Sequence, residues 1–242
     1  MKKFIVGLMI VATAALSLSA DIYVKSNSHT DAMSMMGQNT PATDAVSELW
    51  ISDNAIAMVG KDSRTIIDLS KNMFTMISLE KKSYVETPLP VDFAKLLPSE
   101  MAAMAGMIVM SATVSPTGET KKVGQWNCQG YDMTMTVMGM PMKTKVWAST
   151  EVPFDTVKFA EKFMPAMTKG MMRLDDASVK EMMKIKGYQI ASEVNAEMMG
   201  AKIHSTTEVA EISKRDAPAG TYAVPAGFTK KAALGMDDLQ KR

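Results

Sequence analysis

The stretch Asp132-Met133-Thr134-Met135-Thr136-Val137-Met138-Gly139-Met140-Pro141-Met142-Lys143-Thr144-Lys145-Val146 alternates apolar and polar residues on both sides of one glycine. A period of two is that of a strand buried on one face and wet on the other. A two-residue loop at Gly139-Met140 puts glycine at the first central position, as a type II′ turn requires. It pairs Val137 with Met142, Met135 with Thr144 and Met133 with Val146. Met133, Met135, Val137, Met142 and Val146 then share an apolar face, and Thr134, Thr136, Lys143 and Lys145 share the polar one. The unit Lys121 to Thr150 reads as an antiparallel hairpin.

Short strands at close spacing precede it: Val46 to Ile51, Ala55 to Val59, Arg64 to Leu69, Met73 to Leu79 and Ser83 to Glu86, separated by polar breaks such as Ser52-Asp53-Asn54 and Glu80-Lys81-Lys82. Such spacing predicts a meander. Ile22 to Ser28 reads as a first strand, and Asn27 to Thr43 as a polar loop carrying Met33, Met35 and Met36. Between Pro90 and Met104, Phe93, Leu96, Leu97, Met101 and Met104 recur at helical steps, with Pro98 as a break. Met107 to Val114 returns to β-type residues before Pro116-Thr117-Gly118 turns the chain.

After the hairpin, Asp155 to Met167 carries Phe159, Phe163 and Met167 on one stripe, and Ala177 to Lys184 gives a further short helix. Ile190 to Glu197 and Lys202 to Ile212 form a second hairpin, Thr221 to Phe228 an edge strand, and residues 229–242 a peripheral tail. The expected fold is α+β, a curved antiparallel half-barrel sheet wrapped over two or three helices at 91–104 and 155–184. One domain over residues 21–228 accommodates all of it.

Met1-Lys2-Lys3, the apolar run Phe4 to Leu16 and Ser17-Leu18-Ser19-Ala20 have the parts of a secretory signal peptide cut before Asp21. An uncleaved anchor is the alternative. The reading implies an exported, soluble, periplasmic protein with no membrane span after cleavage and no lipoprotein processing, since no cysteine lies near the cut. Residues 21–242 carry 25 Lys and Arg against 26 Asp and Glu, a net charge of −1 that calls for no nucleic acid or anionic membrane as partner. Cys128, the single cysteine, reads as a small buried apolar residue.

Catalytic motifs are absent: there is no Gly-x-Ser-x-Gly, His-Glu-x-x-His, P-loop or dinucleotide glycine pattern. His204 shares strand parity with Lys202, Thr206 and Glu208 and reads as a solvated surface residue. Asp175-Asp176 reads likewise. No enzyme, cofactor or metal is expected from the leading reading. Methionine is the outlier, with 26 residues in the chain against 12 leucines. Unbranched thioethers fill irregular space and repack around flexible apolar partners.

Glu48-Leu49-Trp50-Ile51, Thr65-Ile66-Ile67-Asp68-Leu69, Lys82-Ser83-Tyr84, Thr117 to Gly124 with Cys128 and Tyr131, Val146-Trp147-Ala148-Ser149 and Val224-Pro225-Ala226-Gly227-Phe228 follow one another in that order. Through them the chain from Ala45 to Phe228 resembles a family of exported Gram-negative bacterial proteins built on a domain of unknown function, similar in outline to the LolA-type periplasmic lipoprotein carriers. The resemblance implies a half-barrel around an apolar cavity, with no catalytic residue to carry over. Gly124-Gln125-Trp126-Asn127-Cys128 departs from the family's Gly-aromatic-x-Cys spacing.

Three functions are compatible with these residues. The first is a non-enzymatic carrier of a lipid or acyl chain, lined by Met133, Met135, Val137, Met142 and Val146. The second is a methionine-rich Cu(I)-binding or oxidant-buffering protein using His29, Met33, Met35 and Met36, an imidazole and thioether set that suits a soft ion. The third is a ligand-free interaction module that offers the strand at Thr221 to Phe228 to another envelope protein.

Overall fold

A computed structural model describes residues 20–35, 38–98, 101–102, 110–137, 139–171, 174–198 and 201–235. Residues 1–19 of the segment read as a signal peptide, and residues 236–242 of the tail, lie outside these residues. The strands are β1 (Ile22–Thr30), β2 (Met33–Met35), β3 (Gln38–Thr40), β4 (Thr43–Ile51), β5 (Ala55–Val59), β6 (Ser63–Asp68), β7 (Met73–Ser78), β8 (Ser83–Pro88), β9 (Met110–Val123), β10 (Trp126–Val137), β11 (Met140–Ser149), β12 (Tyr188–Met198), β13 (Ala201–Lys214) and β14 (Thr229–Lys230). Two α-helices are described, α1 (Thr156–Pro165) and α2 (Asp176–Met182).

Twelve strands form one sheet in the order β14-β8-β7-β6-β5-β4-β1-β13-β12-β11-β10-β9, and β2 and β3 form a separate hairpin. Neighbours are antiparallel except β14, which runs parallel to β8. The meander read from the sequence is β4 to β8, and β9 to β13 is a second one. The N-terminal strand β1 joins them by pairing with β4 on one side and β13 on the other.

This corrects the expected fold class. The protein is a mostly-sheet structure with a mixed twelve-stranded sheet and, among the described residues, two short α-helices, not an α+β half-barrel wrapped over helices. Of the stretch 91–104, the described residues give a single 3-10 turn at Phe93–Leu96, bracketed by Pro90 and Pro98, together with Met101 and Ala102 in helical conformation. In 155–184, α1 gives way to a π-helical segment, Ala166–Met171, before α2 begins at Asp176. Pro116-Thr117-Gly118 does not turn the chain but lies within the 14-residue β9, where the ladder absorbs it as an irregularity.

Three ladder irregularities line up across the second meander. They fall between Gln129 and Tyr131, between Trp147 and Ala148, and between Lys25 and Ser26. Extra residues at such points change which side chains a strand buries. In β10, Trp126 and Cys128 join the main core with Phe74, Leu96 and Phe163. Tyr131, of opposite parity to Cys128, instead joins Val114, Val146 and Ala148 in a second cluster. Gly130 stands directly opposite Trp147 at this line, and a Cβ there would lie 2.7 Å from Thr117 Oγ1 and 3.0 Å from the Trp147 ring.

Residues 217–228 correct another expectation. They are not an edge strand but a strap laid over Tyr23, Trp50, Ile66 and Ile77, contributing Ala217, Tyr222, Val224 and Phe228. Pro218 and Pro225 lack the N–H that a ladder needs. Arg64 on β6 fastens the strap, donating from Nη1 to the carbonyls of Gly220 at 2.7 Å and Thr221 at 3.3 Å. Beyond 228 the chain forms β14 and buries Leu234, whose N–H donates to the Leu96 carbonyl at 2.7 Å.

The far edge, β9, is also covered. Asp175 N-caps α2 by accepting from Ser178 N–H at 2.7 Å, a structural task that the solvated reading of Asp175-Asp176 does not include. The cap fixes α2 against β9, where Ser178 Oγ accepts from Ala112 N–H at 2.9 Å and Glu181 Oε2 from Val114 N–H at 3.1 Å. Two edge amides that could template another strand are thereby occupied.

Candidate functional site: an aromatic cleft beneath α1

Pro153-Phe154-Asp155 leads from the end of β11 into α1. The Asp155 carboxylate accepts from Val157 N–H at 3.1 Å and Lys158 N–H at 3.0 Å, starting the helix so that Phe159 and Phe163 stand one turn apart on the face toward the sheet. Phe163 is 2% exposed in the main core. Phe159 lies 5.6 Å from it and 5.8 Å from Phe154, and Tyr188 at the start of β12 completes the group at 5.4 Å from Phe154 and 6.0 Å from Phe159, centroid to centroid. Burial pushes the Tyr188 phenol above its ordinary range, and its ring packs edge-on against Phe154 and Phe159.

The three phenylalanines, with Ile22 and Ile51, line a cleft of about 530 Å³ that opens between α1 and the ends of β1 and β4. Its rim is charged and of mixed sign: Asp21, Asp53, Asp155 and Glu161 with Lys158, Lys162 and Lys214. Lys162 Nζ donates to the Asp53 carbonyl and ties α1 to the β4–β5 turn. Among the described residues the lining contains neither cysteine nor histidine. The cleft thus combines an aromatic and aliphatic lining with seven charged side chains.

The methionine face lies elsewhere. The β10–β11 register pairs Val137 with Met140, Met135 with Met142, Met133 with Thr144 and Tyr131 with Val146. The strands thus end and resume one residue earlier than a Gly139-Met140 loop requires, and Gly139 itself has φ +80°. Every pair changes by two residues, which leaves each side chain on the face expected of it. Met133, Met135, Val137, Met142 and Val146 therefore share a face, but not one environment. Val146 is 0% exposed and sealed in the second cluster, Met133 packs at the margin of that cluster, and Met135, Val137 and Met142 are half-buried. None of these residues lines the cleft.

The segment read as a polar loop is largely strand, with β1 extending to Thr30 and β2 and β3 forming a hairpin. His29 meets carboxylates: Nδ1 lies 2.7 Å from Asp44 Oδ1 and Nε2 lies 3.1 Å from Asp31 Oδ1. Met33 and Met35 are in β2, and Met36 lies outside the described residues. His204 is not a lone solvated residue either, with Nδ1 2.9 Å from Asp31 Oδ2 and Nε2 3.3 Å from Glu193 Oε1. Cys128 is 1% exposed, and burial pushes its thiol up, away from the reactive thiolate.

The aromatic group escaped the sequence reading because only half of its signal is local. Phe159 and Phe163 are visible as a helix stripe, but Phe154 and Tyr188 join them only through the fold. No protein-family model matches the chain, and no curated protein matches it. Among the described residues no helix is long and apolar enough to cross a membrane.

Proposed function

We propose that this protein is a non-enzymatic binder of an apolar ligand, a lipid or acyl chain, exported to the periplasm and holding that ligand in the cleft beneath α1. One observation carries the reading: an aromatic floor of Phe154, Phe159 and Phe163 under a charged rim, in a cleft of about 530 Å³. That volume lies within the range of small-molecule sites, roughly 300–1,000 Å³. Each methylene moved from water onto the floor contributes about 0.8 kcal/mol, so a long chain is favoured over a short one. The rim carries both signs of charge, four carboxylates against three lysines, and keeps the mouth wetted while the chain is held. The half-buried Met135, Val137 and Met142 form a separate apolar surface away from the cleft, where thioethers could adapt to a flexible chain.

The test is titration of residues 21–242 with a fluorescent hexadecanoic acid probe. A saturable 1:1 enhancement is expected, with affinity reduced at least tenfold in Phe159→Asp and unchanged in Met135→Gln combined with Met142→Gln. Loss in the methionine variant alone would move the seat to the hairpin face. Absence of saturable binding in the parent would refute the function.

A further inference from the structure

Strand register alone places five ionisable side chains in one band. Asp44 on β4 is directly opposite His29 on β1, His29 is opposite Thr206 on β13, and Thr206 is opposite Glu193 on β12. The Asp31 N–H donates to the His204 carbonyl at 3.0 Å, which extends the β1–β13 ladder and brings Asp31 level with His204. Opposed residues share a face and so do residues two apart, so Asp44, His29, Asp31, His204 and Glu193 stand together across four strands. Both histidines of the chain are in this band.

The side chains complete an ordered chain of contacts. The Asp31 carboxylate lies between the imidazoles, with Oδ1 3.1 Å from His29 Nε2 and Oδ2 2.9 Å from His204 Nδ1. The outer ring nitrogens are held by Asp44 at 2.7 Å and Glu193 at 3.3 Å. Two imidazoles thus turn one nitrogen each toward a shared carboxylate while a second carboxylate orients each ring from behind. That is the support metal-binding histidines use: one nitrogen for the ion, the other N–H donated to a carboxylate.

We propose that His29, Asp31 and His204 bind a divalent transition cation of the Zn²⁺ or Cu²⁺ class, with Asp44 and Glu193 as positioning residues for the two rings. Among the described residues no group of three or more His, Cys, Asp or Glu is placed to hold a metal ion, so an ion position has to be made by a side-chain movement. The donors reach one when the Asp31 carboxylate turns aside and the ion enters between the imidazoles at ligand distances of about 2.0–2.2 Å. His29 Nε2 and His204 Nδ1 then give lone pairs to the ion, and any proton either carries passes to solvent. Asp31 supplies an oxygen, and solvent completes the coordination. Imidazole with carboxylate suits Zn²⁺ and Cu²⁺, whereas the thioether set around Met33 and Met35 would suit Cu(I). The site is on a different part of the sheet from the cleft and does not depend on it.

The experiment titrates chelator-treated residues 21–242 with Zn²⁺ against a chromophoric chelator and records the Cu²⁺ electron paramagnetic resonance spectrum of the 1:1 complex. One ion per chain is expected, with hyperfine structure from two imidazole nitrogens. His29→Gln with His204→Gln should weaken binding at least a hundredfold, and Asp44→Asn or Glu193→Gln about tenfold, the low end of such supporting-residue effects. Met33→Leu with Met35→Leu should leave it unchanged. The parent spectrum needs no variant to fold, so a spectrum without two nitrogens overturns the proposal. So does the absence of 1:1 binding, undiminished binding in the folded double-histidine variant, or binding lost with the methionines.

Discussion

Replacing Gly130 by alanine tests whether the packing at the line of ladder irregularities is as close as the geometry states. The added Cβ would sit 2.7 Å from Thr117 Oγ1 and 3.0 and 3.2 Å from two atoms of the Trp147 ring. Thr117 cannot simply rotate away, because its hydroxyl donates to the Gly130 carbonyl at 3.0 Å and accepts from Glu119 N–H at 3.2 Å. The Trp147 ring is confined as well, with Lys121 Nζ 4.2 Å from its centroid. Overpacking of this kind costs about 1–3 kcal/mol. Loss of a Thr117 hydrogen bond adds about 1 kcal/mol, and the reduced entropy of the unfolded chain returns roughly 0.4–1 kcal/mol. The expected net loss is about 2 kcal/mol, a fall in Tm of roughly 4–8 °C for a chain of this size. Urea unfolding followed by circular dichroism measures it, and Thr117→Ala in the Gly130→Ala background should restore part of the loss through a non-additive coupling. A Gly130→Ala protein as stable as the parent would refute the reasoning.

Phe163→Ala removes a 2% exposed ring from the main core and should cost about 3–5 kcal/mol in the same urea assay; a loss under 1 kcal/mol would mean that the ring is not packed there. Ser178→Ala should speed hydrogen exchange at Ala112, and Glu181→Ala at Val114, with about 1 kcal/mol lost for each, since each uncovers an amide of the sheet edge; unchanged exchange at both would show that α2 does not cover β9. Asp68 titrates below the ordinary carboxylate range: burial raises it, but hydrogen bonds from the Lys71 side chain, Ser70 and the Lys71 N–H together outweigh that. Its depressed folded value means its stabilisation is present above the unfolded value near 3.9 and is lost as pH falls through the folded one. Asp68→Asn should therefore flatten the decline of stability as pH falls below about 4, and an unaltered decline would count against the assignment.

The amino-acid sequence by itself determined most strands of the two meanders and the sidedness of the hairpin. Alternation acts between residues two apart on one backbone, so Met133, Met135 and Val137 share a face whatever partner strand is chosen, and a register displaced by two residues leaves that result intact. The stripe of Phe159 and Phe163 on α1 is local in the same sense. Fold class was not legible, because the apolar periodicity of 91–104 predicts a core helix and the residues of 221–228 an edge strand, neither of which forms as such among the described residues. Pro90, Pro98, Pro218 and Pro225 limit both segments, and the coverage falls instead to the strap and to Leu234. Tertiary structure alone decided the rest. Phe154 and Tyr188 meet α1 through a ladder that closes between Ser149 and Tyr188. His29 and His204 meet because β1 enters the sheet beside β13. Local periodicity says which side of its own strand a residue occupies; which strand lies next to it is set by long-range pairing, and the cleft and the histidine band are both products of that pairing.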